Sequence, residues 1–483
     1  MALEDFQLLI LNAFTEGDQS RPSLAQLADG NIVVVWDTGG GPLDQFGEHN
    51  DEVRGRLFNR DGTPISDEFL IDGNAETRNI DAEVTALANG NFVVTWMKAP
   101  DEIVARVFSP AGGAITDEFT VGAGGLDPDV TALSNGGFVV TWWSQSGGFP
   151  DGVAARLYMA NGDPASDMLE VSADSLGGLI RPAIRELTGG KIVVAWADVG
   201  AVKIKGRILD ADGDPLTGEI DISSQPPTVP DNLLLYPRIA ELENGNFVVA
   251  WNDGYNVKAR VMKPDGTPAA AEFTANVYGT EFQNQSWAPD VVALQDGGFM
   301  IAWSNGAVGI RARIFDANGN ERVPEFDVSA NVDGQFEDRV KITQLDNGKI
   351  MLVWEEMTPD GDGDGTAIEA RVMTLPTYDY ETGTFVSVGS GTVDDMNSIL
   401  VQDVGQNDLI VALDGDDEVD AGDGNDVVYG DSATGKQVAA YSALFKGKAS
   451  AAGGKDNLDG GGGNDKIYGD LGNDILSGGA GND

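Results

Sequence analysis

Seven times along the chain, an apolar run of strand-forming residues ends in a tryptophan: Trp36, Trp96, Trp142, Trp196, Trp251, Trp303 and Trp354. Asn91-Phe92-Val93-Val94-Thr95-Trp96 and Asn246-Phe247-Val248-Val249-Ala250-Trp251 are two of these runs. Neighbouring strand residues point to opposite faces, and here both faces are apolar, so each strand is covered on two sides. The spacing between successive tryptophans is nearly even and of a length that suits one four-stranded blade of a β-propeller. The second copy shows the order of elements. Glu83–Leu87 reads as a first strand, Asn89-Gly90 as a tight hairpin turn and Phe92–Trp96 as a second strand. Ile103–Phe108 is the third, Ala111-Gly112-Gly113 the next turn and Glu118–Val121 the fourth.

The seventh copy has its Trp354 but no fourth strand after it. The chain instead begins with Glu4-Asp5-Phe6-Gln7-Leu8-Leu9-Ile10, which aligns with Asp67-Glu68-Phe69-Leu70-Ile71. The N-terminal strand is therefore expected to complete the last blade and hide both sheet edges. The expected fold is all-β: a seven-bladed propeller over 1–375. An arginine recurs in every third strand: Arg56, Arg106, Arg156, Arg207, Arg260, Arg313 and Arg371. Seven copies at one position suit blade-to-blade ion pairs or hydrogen bonds rather than a ligand.

Composition narrows the partners. Seventy-eight acidic residues against 30 basic ones give a net charge of −48, which argues for cations and against nucleic acid or an anionic membrane. With no cysteine there are no disulfides or thiolate metal sites, and the single histidine, His49, lies in a polar loop. No apolar run is long enough to cross a membrane as a helix. No basic stretch followed by an apolar one marks an N-terminal signal peptide.

Beyond Leu375-Pro376 the composition shifts, and after Asp394 a second period appears, of nine residues. Aspartates fall at Asp408, Asp417 and Asp426, and again at Asp456, Asp465, Asp474 and Asp483. Glycines such as Gly415, Gly424, Gly463 and Gly472 stand two residues before them, and apolar residues such as Ile410, Val428, Ile467 and Leu476 two after. This pattern resembles the calcium-binding nonapeptide repeats of the repeats-in-toxin (RTX) family. Gly422-Asp423-Gly424-Asn425-Asp426-Val427-Val428 and Gly461-Gly462-Gly463-Asn464-Asp465-Lys466-Ile467 carry the resemblance. It implies a parallel β-roll over 403–483, with a linker and cap at 376–402. Aspartates two periods apart would stack on adjacent coils: Asp408 over Asp426, Asp456 over Asp474 and Asp465 over Asp483. The resemblance also implies Ca²⁺ held by those aspartates and the turn glycines.

The physical chemistry agrees: stacked carboxylates repel unless a cation lies between them, and Ca²⁺ takes six to eight oxygen ligands. The apolar residues of the period are expected to face inward as a thin core. Residues 432–452 interrupt the period as a loop or short helix. Asp360, Asp362 and Asp364 alternate with glycine like the start of an EF-hand loop, and form a further calcium candidate. Position 12 of that loop is Arg371 instead of glutamate, so a full EF-hand is excluded.

The resemblance further implies secretion without an N-terminal signal, by type I export, with the repeats folding on extracellular calcium. For the propeller, the loops after second and fourth strands share the usual ligand face. Trp143 and Trp287 fall outside the repeat and map there, as do Tyr236, Tyr255 and Tyr278. They suit stacking on sugar rings. The reading favoured is a non-enzymatic binding or adhesion module for an extracellular glycan or surface protein. The alternative is a calcium-dependent hydrolase or lyase acting on polysaccharide or phosphate ester. No catalytic motif stands out, and the absence of His-Glu-x-x-His excludes a serralysin-type protease.

Overall fold

A computed structural model of the chain describes residues 9–14, 17–39, 51–73, 77–145, 152–172, 181–198, 200–224, 236–254, 256–277, 286–305, 309–329, 337–356, 366–379 and 384–388. Beyond these it describes seven short strands between 399 and 477. Every regular element among the described residues is a β-strand. The chain divides into two compact units, one of Leu8–Glu321 with Asn331–Thr374 and one built mainly from Leu375–Asp483.

Seven four-stranded sheets follow one another in the order of the chain. The first is Gln19–Gln26, Ile32–Thr38, Glu52–Phe58 and Phe69–Leu70. The last is Glu337–Gln344, Ile350–Glu356 and Ala367–Met373, completed by Leu9–Ile10 from the start of the chain. This is the seven-bladed propeller, closed by the N-terminal strand. The closing register differs from the sequence alignment. Leu9, not Phe6, takes the place of Phe69, because Leu9 pairs with Ala370 and Ile10 with Glu369. The shift puts Leu11 where Ile71 stands in blade one. Both are buried, and each donates its backbone N–H at 2.9 Å to the neighbouring strand, Leu11 to Ile368 and Ile71 to Val53.

Two devices join each blade to the next. The repeat tryptophans are at most 2% exposed and sit in apolar clusters drawn from adjacent blades. Trp96, for example, packs with Val35, Leu57 and Ile71 of blade one. At six of the seven joints an apolar residue of the fourth strand also lies over the turn glycine of the following blade. Phe69 covers Gly112, Phe119 covers Gly162, Phe273 covers Gly319, and Leu9 covers Gly62. A Cβ on Gly112 would fall 2.9 Å from Phe69 Cε1, and Gly112 has φ +81°, so the site requires glycine twice over.

The recurrent arginines tie the same joints. Arg106 Nε donates to the Thr116 carbonyl of its own blade at 3.0 Å, and its Nη1 to the Ile71 carbonyl of the preceding blade at 3.2 Å. Arg56 bridges Ser66 and Leu11 in the same way, and Arg260 bridges Ala270 and Ile222. These are blade-to-blade hydrogen bonds to carbonyls, which the planar guanidinium spans better than an ammonium.

In the other unit, two sheets run in parallel register. One contains Leu409–Val411, Val427–Tyr429 and Lys466–Tyr468 after a hairpin of Thr377–Asp379 and Thr384–Val388. The other contains Ile399–Leu400, Glu418–Asp420, Asn457–Asp459 and Ile475–Ser477. Leu409 pairs with Val427, which stands two periods further along the chain. Glu418 pairs with Asn457, two periods plus the whole length of segment 432–452 further along. The pairing thus resumes beyond that segment as if it were absent. Leu476, expected inward, is 50% exposed, and its strand is the last of its sheet among the described residues.

Two outcomes follow for the ring. Gly112→Ala is expected to destabilise the propeller by about 1–3 kcal/mol, through overpacking against Phe69 and backbone strain. Denaturant titration reads the change, and an unaltered midpoint would refute the joint. Deleting residues 1–11 removes the closing strand and should lower the melting temperature of the whole propeller; a melting temperature equal to wild type would refute the closure.

Candidate functional site

The first strand of every blade faces the ring axis, and in five blades its start departs from regular pairing. Register shifts lie between Ser20 and Ser23, Ile80 and Glu83, Leu126 and Asp129, Trp287 and Asp290, and Asp338 and Lys341. Such a bulge bends the strand and re-aims a side chain. Within them Arg21 (φ 53°), Asp81 (56°), Asp127 (50°), Ala288 (43°) and Arg339 (56°) have left-handed backbones, and Arg181 (39°) does so in blade four. That region is costly for residues with a Cβ, and strain of this kind gathers at functional sites. Proline follows four of these residues, and five blades carry it at one fixed offset before the repeat tryptophan: Pro22 before Trp36, Pro128 before Trp142, Pro182 before Trp196, Pro237 before Trp251 and Pro289 before Trp303. Proline has no N–H for the ladder, so it helps keep the bulge open.

These residues surround a pocket of about 70 Å³ at the mouth of the axial channel. Its outer lining is Arg21, Asp81, Asp127, Arg181, Tyr236, Ala288 and Arg339. Glu83, Arg238 and Lys341 line it deeper and also line a second, polar cavity of about 410 Å³ farther along the first strands. Lys341 pairs with Glu83, Arg238 approaches the same carboxylate at 3.6 Å, and the Ser23 hydroxyl donates to it at 2.7 Å. This girdle divides the channel in two.

At the mouth, Arg21 reaches Asp37 at 3.1 Å and Asp81 at 3.0 Å, while its backbone N–H donates to Glu355 at 3.3 Å. Arg181 stacks over the Tyr236 ring, 4.1 Å from its centroid, and stands 3.8 Å from Asp127. Arg339 stays 3.8 Å from Glu355 and 3.9 Å from Asp338.

The carboxylates behind these cations are taken out of water. Burial pushes Asp37 up to about 7, with the charge of Asp81 adding to it and Arg21 opposing. Burial likewise carries Asp127 to about 6 against the pull of Arg181. Asp129 also reaches about 6, through burial and the charge of Glu83. Glu83 goes the other way: burial pushes it up, but Lys341 and Arg238 more than reverse this and hold it below the ordinary value.

Of the aromatic residues expected at the ligand face, Tyr236 is at the mouth. Trp143 is not an open platform. It is 6% exposed and packs with Leu133, Val153 and Trp196 in the core between blades three and four. It directly follows Trp142 in a strand buried on both faces. The Trp287 side chain lies outside the described residues, as do Tyr255, Tyr278 and His49. So do the calcium candidates Asp360, Asp362, Asp364, Asp408, Asp417, Asp426, Asp456, Asp465, Asp474 and Asp483, with Gly415, Gly424, Gly463 and Gly472. The strands that follow Asp426 and Asp465 begin at paired residues, as do those that follow Asp456 and Asp474.

Among the described residues, Glu337, Glu356 and Glu369 bring carboxylate oxygens within 4.8 Å of one another in blade seven. Glu337 accepts the Ile310 N–H at 2.8 Å and Glu369 the Trp354 indole N–H at 3.1 Å, which gives both a structural task. The axial residues escaped the sequence reading because it begins each first strand at the regular alternation, two residues after the bulge. The recurring proline was the available signal.

Residues 404–434 and 450–483 match the RTX calcium-binding nonapeptide repeat, in four copies. The chain thus carries calcium-binding RTX repeats behind a seven-bladed β-propeller. No curated protein matches it in sequence. Among solved structures it is similar to a protein of unknown function from Dyadobacter fermentans, at 15% identity and TM-score 0.45, covering 76% of this chain and 98% of that one. It is also similar to the NanB sialidase of Streptococcus pneumoniae (11%, TM-score 0.46, 76% and 70%) and to an alpha-L-arabinanase of Penicillium chrysogenum (16%, TM-score 0.40, 61% and 92%). These likenesses concern the fold alone.

The buried carboxyls make stability depend on pH. Asp37, Asp127 and Asp129 titrate near 6–7 in the native state, against about 3.9 unfolded. The native state therefore binds more protons across this window. The contribution is complete below about pH 4 and is lost as pH rises through 6 and 7. In saturating Ca²⁺, the propeller is expected to melt higher at pH 5.5 than at pH 8, and Asp37→Asn should shrink the difference. An equal difference in Asp37→Asn would refute the role of Asp37.

Proposed function

We propose that the protein is an extracellular calcium-binding protein whose propeller is a non-enzymatic binding module for a glycan, held at the channel mouth. Carrying this reading is the mouth itself, where guanidinium donors, carboxylate acceptors and the half-buried Tyr236 ring converge on one pocket. Sugars offer alternating hydroxyl and C–H surface, which such a lining matches. The RTX repeats are proposed to form a parallel β-roll with Ca²⁺ between stacked aspartates, folding only where calcium is abundant, as repeats of this kind do in secreted proteins. Among the described residues no helix is long and apolar enough to cross a membrane.

A hydrolase is the second reading. It is favoured by the place of Asp127, a carboxyl that lines this pocket beside Arg181 and that burial raises to about 6, toward the range a general acid requires. Product release from a bound oligosaccharide separates the two.

Two measurements test the proposal. On a glycan array, the Ca²⁺-loaded chain is expected to retain specific glycans without turnover, and Tyr236→Ala to lose them; a wild-type chain that retains none defeats the binding reading. Chelation of the full chain should abolish one unfolding transition and spare the propeller's. If calcium left every transition unmoved, the calcium-folded roll would be excluded.

A further inference from the structure

The lining of the channel mouth is richer in basic side chains than the chain as a whole. It carries five basic side chains, Arg21, Arg181, Arg238, Arg339 and Lys341, against three acidic ones, Asp81, Glu83 and Asp127. The chain as a whole carries 30 basic residues against 78 acidic. Resting on the glycan reading, we infer that the mouth recognises a negatively charged group on that glycan, a uronate carboxylate or a sulfate, through Arg21, Arg181 and Arg339.

The pocket, about 70 Å³ in volume, opens among these arginines. The arginines are also incompletely engaged. Arg181 and Arg339 stand 3.8–3.9 Å from their nearest carboxylates, beyond hydrogen-bond length. The buried Arg181 Nε has no hydrogen-bond partner among the described residues. A ligand oxygen supplies the short, charge-assisted contacts that are missing.

Proton uptake follows from the same geometry. Asp37 faces Arg21 and Asp81. Asp127 faces Arg181 and feels Asp81, Arg339 and Arg238, with Tyr236 beside it. Burial raises both, Asp37 to about 7 and Asp127 to about 6, so each is poised to gain a proton in the range between pH 5.5 and 8. An anion arriving on Arg21 and Arg181 competes with them for the same cations and repels their charge, so each gains a proton from the buffer.

Calorimetry on the Ca²⁺-loaded full chain tests this with three probes: a diuronate, the neutral disaccharide made by reducing its carboxyls, and a disaccharide sulfate. At least one anionic probe is expected to bind roughly tenfold or more tighter than the neutral one, and which anion binds identifies the source of the charge. Affinity should rise as pH falls from 8 to 5.5, by up to roughly tenfold per pH unit for each proton taken up. The uronate itself stays ionised there, since its carboxyl titrates at ~3.5. Two buffers of different ionisation heat count the protons directly. Arg339→Gln should erase the preference for anions, and Asp37→Asn with Asp127→Asn should flatten the pH slope and keep that preference. Equal binding of the neutral disaccharide overturns the inference while leaving the glycan reading intact. Anion binding that ignores pH and takes up no protons supports the anion site and overturns the proton uptake. Failure of all three probes, together with an empty glycan array, overturns both. The wild-type comparisons stand even if a variant does not fold.

Discussion

Everything in the propeller depends on contact between successive blades. Each sheet is apolar on both faces, so no blade is stable with a face uncovered, and the only arrangement that covers all of them is a closed ring. Tryptophans fill the space between blades, and fourth-strand residues such as Phe69 press onto the turn glycine of the next blade. Arginines such as Arg106 stitch the carbonyls on either side of the joint. The short strand Leu9–Ile10 matters because it brings Leu9 onto Gly62 and Leu11 into the last joint.

Closure in turn decides where chemistry is available. With both faces of every sheet consumed by packing, the free positions are the loops and the axis. At the axis the first strands bulge, and their side chains need not repeat, because they face a channel instead of a neighbouring blade. Seven equivalent positions thus hold arginine, aspartate, tyrosine and alanine, where the joints hold nearly the same residue each time. The uneven ring allows a mouth with its own charge in a strongly acidic chain.

Much of the fold was legible in the sequence, because propeller packing writes itself as a repeat. The tryptophans, the Asn-Gly turns, the third-strand arginines and the nine-residue period of the second unit all recur at fixed offsets. The axial site was mostly illegible for the complementary reason: Arg21, Asp81, Asp127, Arg181 and Arg339 do not repeat. Only Tyr236 was singled out, and only by its place near a long loop. Trp143 shows the opposite failure. Being irregular, it suggested function, but it is buried between blades.

The sequence alone determined the number of blades, the closure of the ring by its first strand and the periodic acidic repeats that follow. Those properties rest on local patterns of apolar and turn-forming residues, which read the same in isolation. Tertiary structure alone decided the closing register, because only the folded ring shows that Leu9 meets Gly62 and pairs with Ala370. It also decided the mouth: residues from blades far apart in the chain become neighbours there only once the ring is shut.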